Sequence, residues 1–346
     1  MAHGAERWIE GAREELTEKV EFLGTAAHYP NAPSHVIARE THMSWVFLAG
    51  DYVFKLKKPV KNRLLDFSTL EAREFNCREE VRLNSRLSPH AYLDVVALTR
   101  LSDGQLSFAS GGRIVDWLVK MRRLPSELML DVLLPRHLAR APLIEALASL
   151  LASFYRRAER PTLSSAVHFA QLRHEQQLNR EIITLHGFKI DTGRANRMLD
   201  EFDDMLGCCR PLLDERLRNG FIVEGHGDLR PEHICFTDPI TIFDCLEFNR
   251  QLRLIDAFDE LAFLEVECAL LGAKWLGPTL MEKIKVLQAD WPAEGLLRLY
   301  RVYRSILRAR LCLAHLLECR PRQLSKWEPL ADRYLELAEY YCDDRR

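Results

Sequence analysis

Several features are missing from this 346-residue chain, and each absence narrows what it can be. It has no Walker-type GxxxxGK loop, which excludes a P-loop nucleotide site. Its nine cysteines form no CxxC pair and no zinc-type spacing, and Cys208 and Cys209 are adjacent. Buried thiols in a reducing compartment fit this better than disulfides or a metal centre. No apolar run approaches the ~20 residues that span a bilayer. The opening MAHGAERWIEGAREEL has no apolar signal core, so a cytoplasmic protein without a membrane partner is expected. A formal net charge of -2 leaves no basic excess to neutralise nucleic-acid phosphates, which removes nucleic acid as a partner. Internal repeats and low-complexity segments are also lacking. What remains is the 47% hydrophobic and 28% charged balance of a globular protein, with length enough for two lobes.

The pattern along the chain changes character once. Ala5 to Phe22 reads as an amphipathic helix, with Trp8, Ile9, Leu16, Val20 and Leu23 roughly on one side. A Pro/Asn-rich connector from Tyr29 to Ser34 follows. Strand-like segments come next: His35–Ala38, then Ser44–Leu48 and Tyr52–Lys57 around the hairpin signal Ala49-Gly50-Asp51. Asp66–Leu87 is helical, capped by Asp66 or Ser68 and ended by Ser88-Pro89. Tyr92–Leu101, Gln105–Ala109 and Arg113–Met121 are further strands, so residues 35–121 form a sheet with one long helix inserted after its third strand. Beyond Pro125 helical periodicity dominates, with one strong exception.

That exception, HGDLRPEHICFTDPITIFD (His226 to Asp244), carries the chemistry. Asp228 lies on a tight loop before the apolar strand Ile234–Phe236. A Thr237-Asp238-Pro239 turn leads to a second strand, Ile240–Phe243, which ends on Asp244. Two acids on one hairpin can divide phosphoryl transfer between them. One orients a hydroxyl nucleophile and the other holds a magnesium ion on nucleotide phosphates, since this chemistry needs positioning and charge neutralisation more than covalent help. Lys55 and Lys57, two apart on a strand, point to one face. The plainer account of them is an exposed basic edge strand, because Lys58 and Lys61 continue the run. On the helix, Glu80 shares a face with Leu83, Asn84 and Leu87 and should point towards the sheet, with Glu79 one step round as the alternative.

A β-rich first lobe followed by a helical second lobe with paired acids resembles the aminoglycoside phosphotransferase family of the protein-kinase-like superfamily. It is closest to bacterial proteins known only as aminoglycoside-phosphotransferase-like, some of which carry a fused P-loop ATPase domain that is not expected here. The resemblance runs from about Ser34 to about Leu317 and is carried by ETHMSWVFLAGDYVFKLKKPV, LDFSTLEAREFNCREEVRLN, VDWLVKMRRLP and HGDLRPEHICF. It implies an α+β, two-lobe fold: a helical extension (1–33), a nucleotide-binding β-rich N-lobe (34–121) and a larger helical C-lobe (122–346). That C-lobe would hold the catalytic hairpin (226–244) and a substrate-side helical insert (164–219).

The resemblance also implies roles. Asp228 is the catalytic carboxylate and Asp244 the metal ligand. Lys55, set in Tyr52-Val53-Phe54-Lys55, contacts the α/β-phosphates and pairs with Glu80, with Lys57 close behind. Thr41 and Ser44 hydroxyls with backbone N–H groups cradle phosphates in a glycine-free turn. Val119–Arg122, with Met121, forms the hinge that meets adenine. His226 and Glu260 support the catalytic loop, with Asp259 as alternative to Glu260. His233 stands where the family has a metal-binding Asn. It would touch metal or phosphate there, or serve as a loop histidine, in which case Glu247 or Asn249 could supply the missing oxygen. ATP and Mg²⁺ are the implied cofactors, and a small-molecule hydroxyl the implied acceptor. The alternative is a catalytically weak or inactive nucleotide-binding module acting through a protein partner. Arg301, Arg304 and Arg308 fall at i, i+3 and i+7 of a later helix, where a solvated face is the plainer account and an anionic substrate the other.

Overall fold

Alternating apolar residues between turn signals build the first part of the chain. The structure, a computed structural model, describes residues 7–8, 12–62, 64–318 and 323–343. The chain divides into two compact units, Met1–Leu128 with Ile234–Arg250, and Met129–His233 with Gln251–Arg346.

The first unit is built on a six-stranded antiparallel sheet. Its spatial order is Val36–Glu40, Ser44–Ala49, Tyr52–Lys57, Arg113–Arg122, Tyr92–Arg100 and Leu106–Ser107. Phe47, Leu56, Leu98 and Leu118 form a core with Leu16 and Leu23 of the Ala12–Leu23 helix. Of the helix expected from Ala5, residues 5, 6 and 9–11 lie outside the described residues. Arg7–Trp8 is instead a short strand paired with Val60–Lys61. The inserted helix runs Leu70–Asn84, and its cap is Thr69, whose hydroxyl accepts from Ala72 N at 3.1 Å. Asp66 is not the cap because its carboxylate is taken by Lys61 and by Ser68 N. Nor is Ser68, whose hydroxyl turns back to Asp66.

One buried knot ties the two helices to the sheet. Asp116 accepts from Lys19 Nζ at 2.8 Å and from Arg73 Nε and Nη2 at 2.7 and 3.1 Å. All three residues are buried, so each charge is matched where water does not reach.

The hairpin Ile234–Cys235/Thr241–Ile242 falls in this unit, whereas chain order groups it with the helical part. Its attachments explain why. Phe236 N donates to Leu128 O at 2.9 Å, Cys245 N donates to Asn84 Oδ1 at 2.9 Å, and the Ser88 hydroxyl donates to Ile242 O.

The second unit is helical. Its insert consists of Ser165–Ile183, Thr192–Cys208 and Arg210–Arg218, the last two divided at Cys209 before Pro211. A short antiparallel pair, Ile222–Glu224 with Leu254–Asp256, was not expected from the sequence. Between that pair and the C-terminal helices lies Ala257–Leu270, buried at every position from Ala257 to Ala269. A helix buried all round should be apolar, yet this one carries four acids. Arg304 binds Asp259 through Nε and Nη2 at 2.7 and 2.8 Å, Arg301 binds Glu265 at 2.9 Å, and Arg308 binds Glu267 at 2.7 Å. The arginine stripe of the Glu294–Ala314 helix is therefore neither a solvated face nor an anion site. It neutralises carboxylates that burial would otherwise leave uncompensated.

Candidate active site

In the first unit, the period of two along Tyr52–Lys57 puts Lys55 and Lys57 on one face of a strand that is paired on both sides. This overturns the exposed-edge account, and Lys57 and Lys58 are both buried. Across from them the Leu70–Asn84 helix turns Cys77, Glu80, Leu83 and Asn84 inward. Glu80 has no exposed surface, and its two oxygens are shared: Oε1 accepts from Lys55 at 2.9 Å and Oε2 from Lys57 at 2.6 Å. Glu79 instead pairs with Arg82 at the surface.

The two lysines differ in their second partner. Lys55 reaches Asp244 Oδ1 at 2.8 Å, whereas Lys57 binds Glu247. Asp244 keeps a side-chain exposure of 42%, against 8% for Glu247. The outward-facing cation and acid are thus Lys55 and Asp244, and Lys57 and Glu247 form the buried layer behind them. Glu247 gives its Oε1 to Lys57.

Charge balance in this cluster sets its titration. Burial alone would lower the Lys55 ammonium, but Asp244, Glu80 and Glu247 together hold it well above its ordinary value. Burial would raise Glu80, yet Lys55 and Lys57 bring it below its ordinary value. For Glu247 burial prevails and the carboxyl is raised. Asp244 takes a left-handed backbone, φ +62°, uncommon for a residue with a Cβ. Its N–H donates to Tyr92 Oη at 3.1 Å, and the neighbouring Cys245 N–H is held by Asn84, so the turn is fixed from both sides. Asp244 is thus a partly exposed acid held in one conformation.

Thr41 and Ser44 close on each other. Thr41 N donates to Ser44 O at 2.8 Å and Ser44 N to Thr41 Oγ1 at 3.0 Å, and Ser44 is buried. These contacts engage the Thr41 hydroxyl and the N–H groups of both residues in closing the turn. The residues expected as the hinge lie within the sheet. Val119 and Met121 are paired with Lys55 and Val53 on one side and with Val95 and Tyr92 on the other. The first backbone beyond the ladder is Arg123–Pro125, and Met121 contributes its side chain to the cluster around Cys77 and Tyr92.

In the second unit, Asp228 sits on a loop braced from below. Glu260, fully buried, accepts from His226 N at 2.9 Å, Gly227 N at 2.6 Å and Tyr155 Oη at 2.9 Å. Burial raises its carboxyl despite these donors. Gly227 takes φ +85°, and a Cβ on Gly225 would meet Ile255 Cγ2 at 2.8 Å and Glu260 Oε1 at 2.9 Å. Both glycines are therefore needed, one for its backbone angle and one for close approach. His226, with no exposed surface, accepts at Nδ1 from Asp228 N at 3.2 Å. His233 directs Nδ1 to the Asp228 backbone carbonyl at 2.8 Å, so a metal or phosphate contact would have to come through Nε2. The Asp228 side chain is 25% exposed. Asp259 is occupied with Arg304, which leaves Glu260 as the acid under the loop.

Sequence reasoning missed Tyr92, Tyr155 and Lys58. Only Lys58 left a local signal, as a third lysine directly after a strand. The tyrosines act across long sequence separations.

No family's sequence profile matches the chain. Uncharacterised proteins of Mycobacterium bovis and Mycobacterium tuberculosis are 33% identical to it over 320 residues, covering 90% of this chain and 61% of theirs. The chain thus spans about three-fifths of the length of the curated relatives it matches. Among solved structures, a choline/ethanolamine kinase family protein from Mesorhizobium loti superposes with a TM-score of 0.55 at 12% identity, covering 95% of this chain and 96% of that one. The choline kinase LicA of Streptococcus pneumoniae gives 0.51 at 11% identity, covering 95% and 98%. An aminoglycoside phosphotransferase from Alicyclobacillus acidocaldarius gives 0.51 at 13%, covering 91% and 92%. The likeness to these proteins is one of fold, an antiparallel sheet in the first part of the chain and helices in the second.

Proposed function

We propose that the chain is an ATP- and Mg²⁺-dependent phosphotransferase acting on a hydroxyl of a small molecule. The observation that carries the reading is the Lys55–Glu80–Asp244 arrangement: a strand lysine held between a buried helix glutamate and an exposed, conformationally fixed aspartate. Kinases use these three types of group to orient nucleotide phosphates. The fold shared with choline kinases and an aminoglycoside phosphotransferase supports it.

In this reading Lys55 meets the α/β-phosphates, and Glu80 keeps its ammonium aimed. Asp244 offers Mg²⁺ a hard, partly exposed carboxylate oxygen, the donor type that ion prefers. Mg²⁺ held there would supply charge neutralisation at the β- and γ-phosphates. Asp228 takes the acceptor. As the acceptor oxygen bonds to the γ-phosphorus, the bond from that phosphorus to the bridging oxygen breaks. ADP departs with the electron pair, and the hydroxyl proton passes to the Asp228 carboxylate. Glu260 keeps the Asp228 loop in place through two backbone N–H groups.

Titration with ATP, with and without Mg²⁺, followed by turnover against a library of hydroxyl compounds, tests the proposal. Asp228→Asn should lower transfer roughly 100- to 10,000-fold while ATP affinity is kept. Full turnover in that variant refutes the assignment. One observation favours the alternative, a nucleotide-binding module with little or no activity. His233 places an imidazole where the family has an amide oxygen, and nitrogen is a poorer partner for Mg²⁺. Nucleotide binding without turnover of any acceptor would decide for it.

A further inference from the structure

The turn Thr41–Ser44 contains no glycine, and the structure shows why it needs none. Among the described residues, the non-glycine positions with positive φ are Ala32, His137, Asp244, Ala289 and Gln323, so this turn is made entirely in ordinary backbone regions. What shapes it is Lys58. That side chain is 2% exposed, and its ammonium donates to Thr41 O at 2.7 Å, to His42 O at 3.3 Å and to the Glu40 carboxylate. Its own backbone N–H donates to Met43 O at 2.9 Å.

Two successive carbonyls turned towards one ammonium have a geometric consequence. In a trans peptide the C=O and the following N–H point in opposite directions. Thr41 O shares its peptide with His42 N–H, and His42 O shares its peptide with Met43 N–H. Drawing both oxygens to Lys58 aims both N–H groups the other way, side by side. Consecutive backbone N–H groups facing one direction make an anion-binding concavity.

We propose that Lys58 is the positioning residue of the nucleotide's phosphate loop, holding the His42 and Met43 N–H groups outward to meet phosphate oxygens in place of a glycine-rich loop. The inference rests on the nucleotide-binding reading above. Lys58 acts from behind the turn and does not itself touch the phosphates, which separates it from Lys55. Thr41 and Ser44, assigned to the cradle from sequence, close the ends of the turn.

The test compares MgATP and adenosine binding by titration calorimetry in the wild-type chain, Lys58→Arg and Lys58→Met. Lys58→Met should weaken MgATP at least about 10-fold and change adenosine affinity less than about 2-fold. Lys58→Arg should recover most of the loss, because guanidinium donors can still reach two carbonyls. A second measurement needs no variant. Amide hydrogen exchange at His42 and Met43 should slow on adding MgATP to the wild-type chain and stay unchanged on adding adenosine. Unchanged MgATP affinity in Lys58→Met overturns the proposal. So do equal losses for both ligands and the absence of phosphate-dependent protection at those amides. A wild-type chain that binds no MgATP at all defeats the nucleotide reading itself, a different and distinguishable failure.

Discussion

Replacing Glu80 with glutamine changes one oxygen for an amide nitrogen inside the most densely charged part of the first unit. The wild-type carboxylate accepts from two ammonium groups through separate oxygens, at 2.9 and 2.6 Å, and has no contact with water. Glutamine keeps one acceptor and presents an NH₂ to the other ammonium. One charge-assisted hydrogen bond is lost, about 2 kcal/mol, and a buried donor is set against a buried cation, roughly 1–2 kcal/mol more. The sum, about 3–4 kcal/mol, lies in the range for breaking a buried pair from one side. Lys55 retains Asp244 and Lys57 retains Glu247, which keeps the loss from being larger. Because the chain has two compact units, a single melting temperature is a poor measure. Amide exchange within Leu70–Asn84 reports opening of that helix directly. A loss of about 3 kcal/mol lowers protection there about 150-fold. Glu79→Gln is the control, since its carboxylate pairs with Arg82 at the surface, and it should cost no more than about 0.5 kcal/mol. Equal losses from the two variants, or a Glu80→Gln cost under about 1 kcal/mol, would refute the shared-partner account.

Further outcomes follow from the same contacts. Glu80 titrates below its ordinary 4.5 in the folded state, so its contribution is present above that pH and is lost as pH falls through the folded value. The stability gap between wild type and Glu80→Gln should therefore narrow in urea unfolding at roughly pH 3, and a constant gap would count against the ion-pair origin. Tyr155→Phe removes the one side-chain hydroxyl seen on Glu260 Oε2 and should cost about 1–3 kcal/mol in denaturant unfolding, with a loss below about 0.5 kcal/mol contradicting the brace. Arg304→Met leaves the buried Asp259 without its two guanidinium donors and should cost about 3–5 kcal/mol, while Arg304→Met with Asp259→Leu should recover most of that. A double variant no more stable than the single one would show that packing, not charge, dominates there.

The elements of the first unit were legible because they obey local rules. The period of two in Tyr52–Lys57 and Arg113–Arg122, and the Ala49-Gly50-Asp51 turn, locate strands without knowledge of their partners. Glu80 could be placed by helical phase alone, because Leu83 and Asn84 mark the inward face. What could not be read were facts that depend on where distant segments meet. Nothing near Arg301, Arg304 or Arg308 says that acids of another helix wait opposite them, so a period that usually means a wet face describes a dry one. Lys58 looked like solvated charge for the same reason, whereas the period of two already set Lys57 beside Lys55. The pairing of Arg7–Trp8 with Val60–Lys61 joins segments some fifty residues apart, and an amphipathic count across Ala5–Phe22 cannot detect it. Tyr92 and Tyr155 are ordinary aromatic positions in sequence, and only the fold brings their hydroxyls to Asp244 N–H and to Glu260.

The knot at Asp116 bears on where this chain may be cut. A trim at residue 34, suggested by the change from helix to strand, would discard Lys19 and leave Asp116 with the Arg73 guanidinium and the Trp117 N–H. It would also strip Leu16 and Leu23 from the sheet's core. Arg73 lies two helical turns before Glu80 on the same helix, so the cut would loosen the anchorage of the helix that aims Lys55. Anyone shortening the protein for expression should keep the first helix, since its removal would disturb the Lys55–Glu80 pair, which lies far from the cut in sequence.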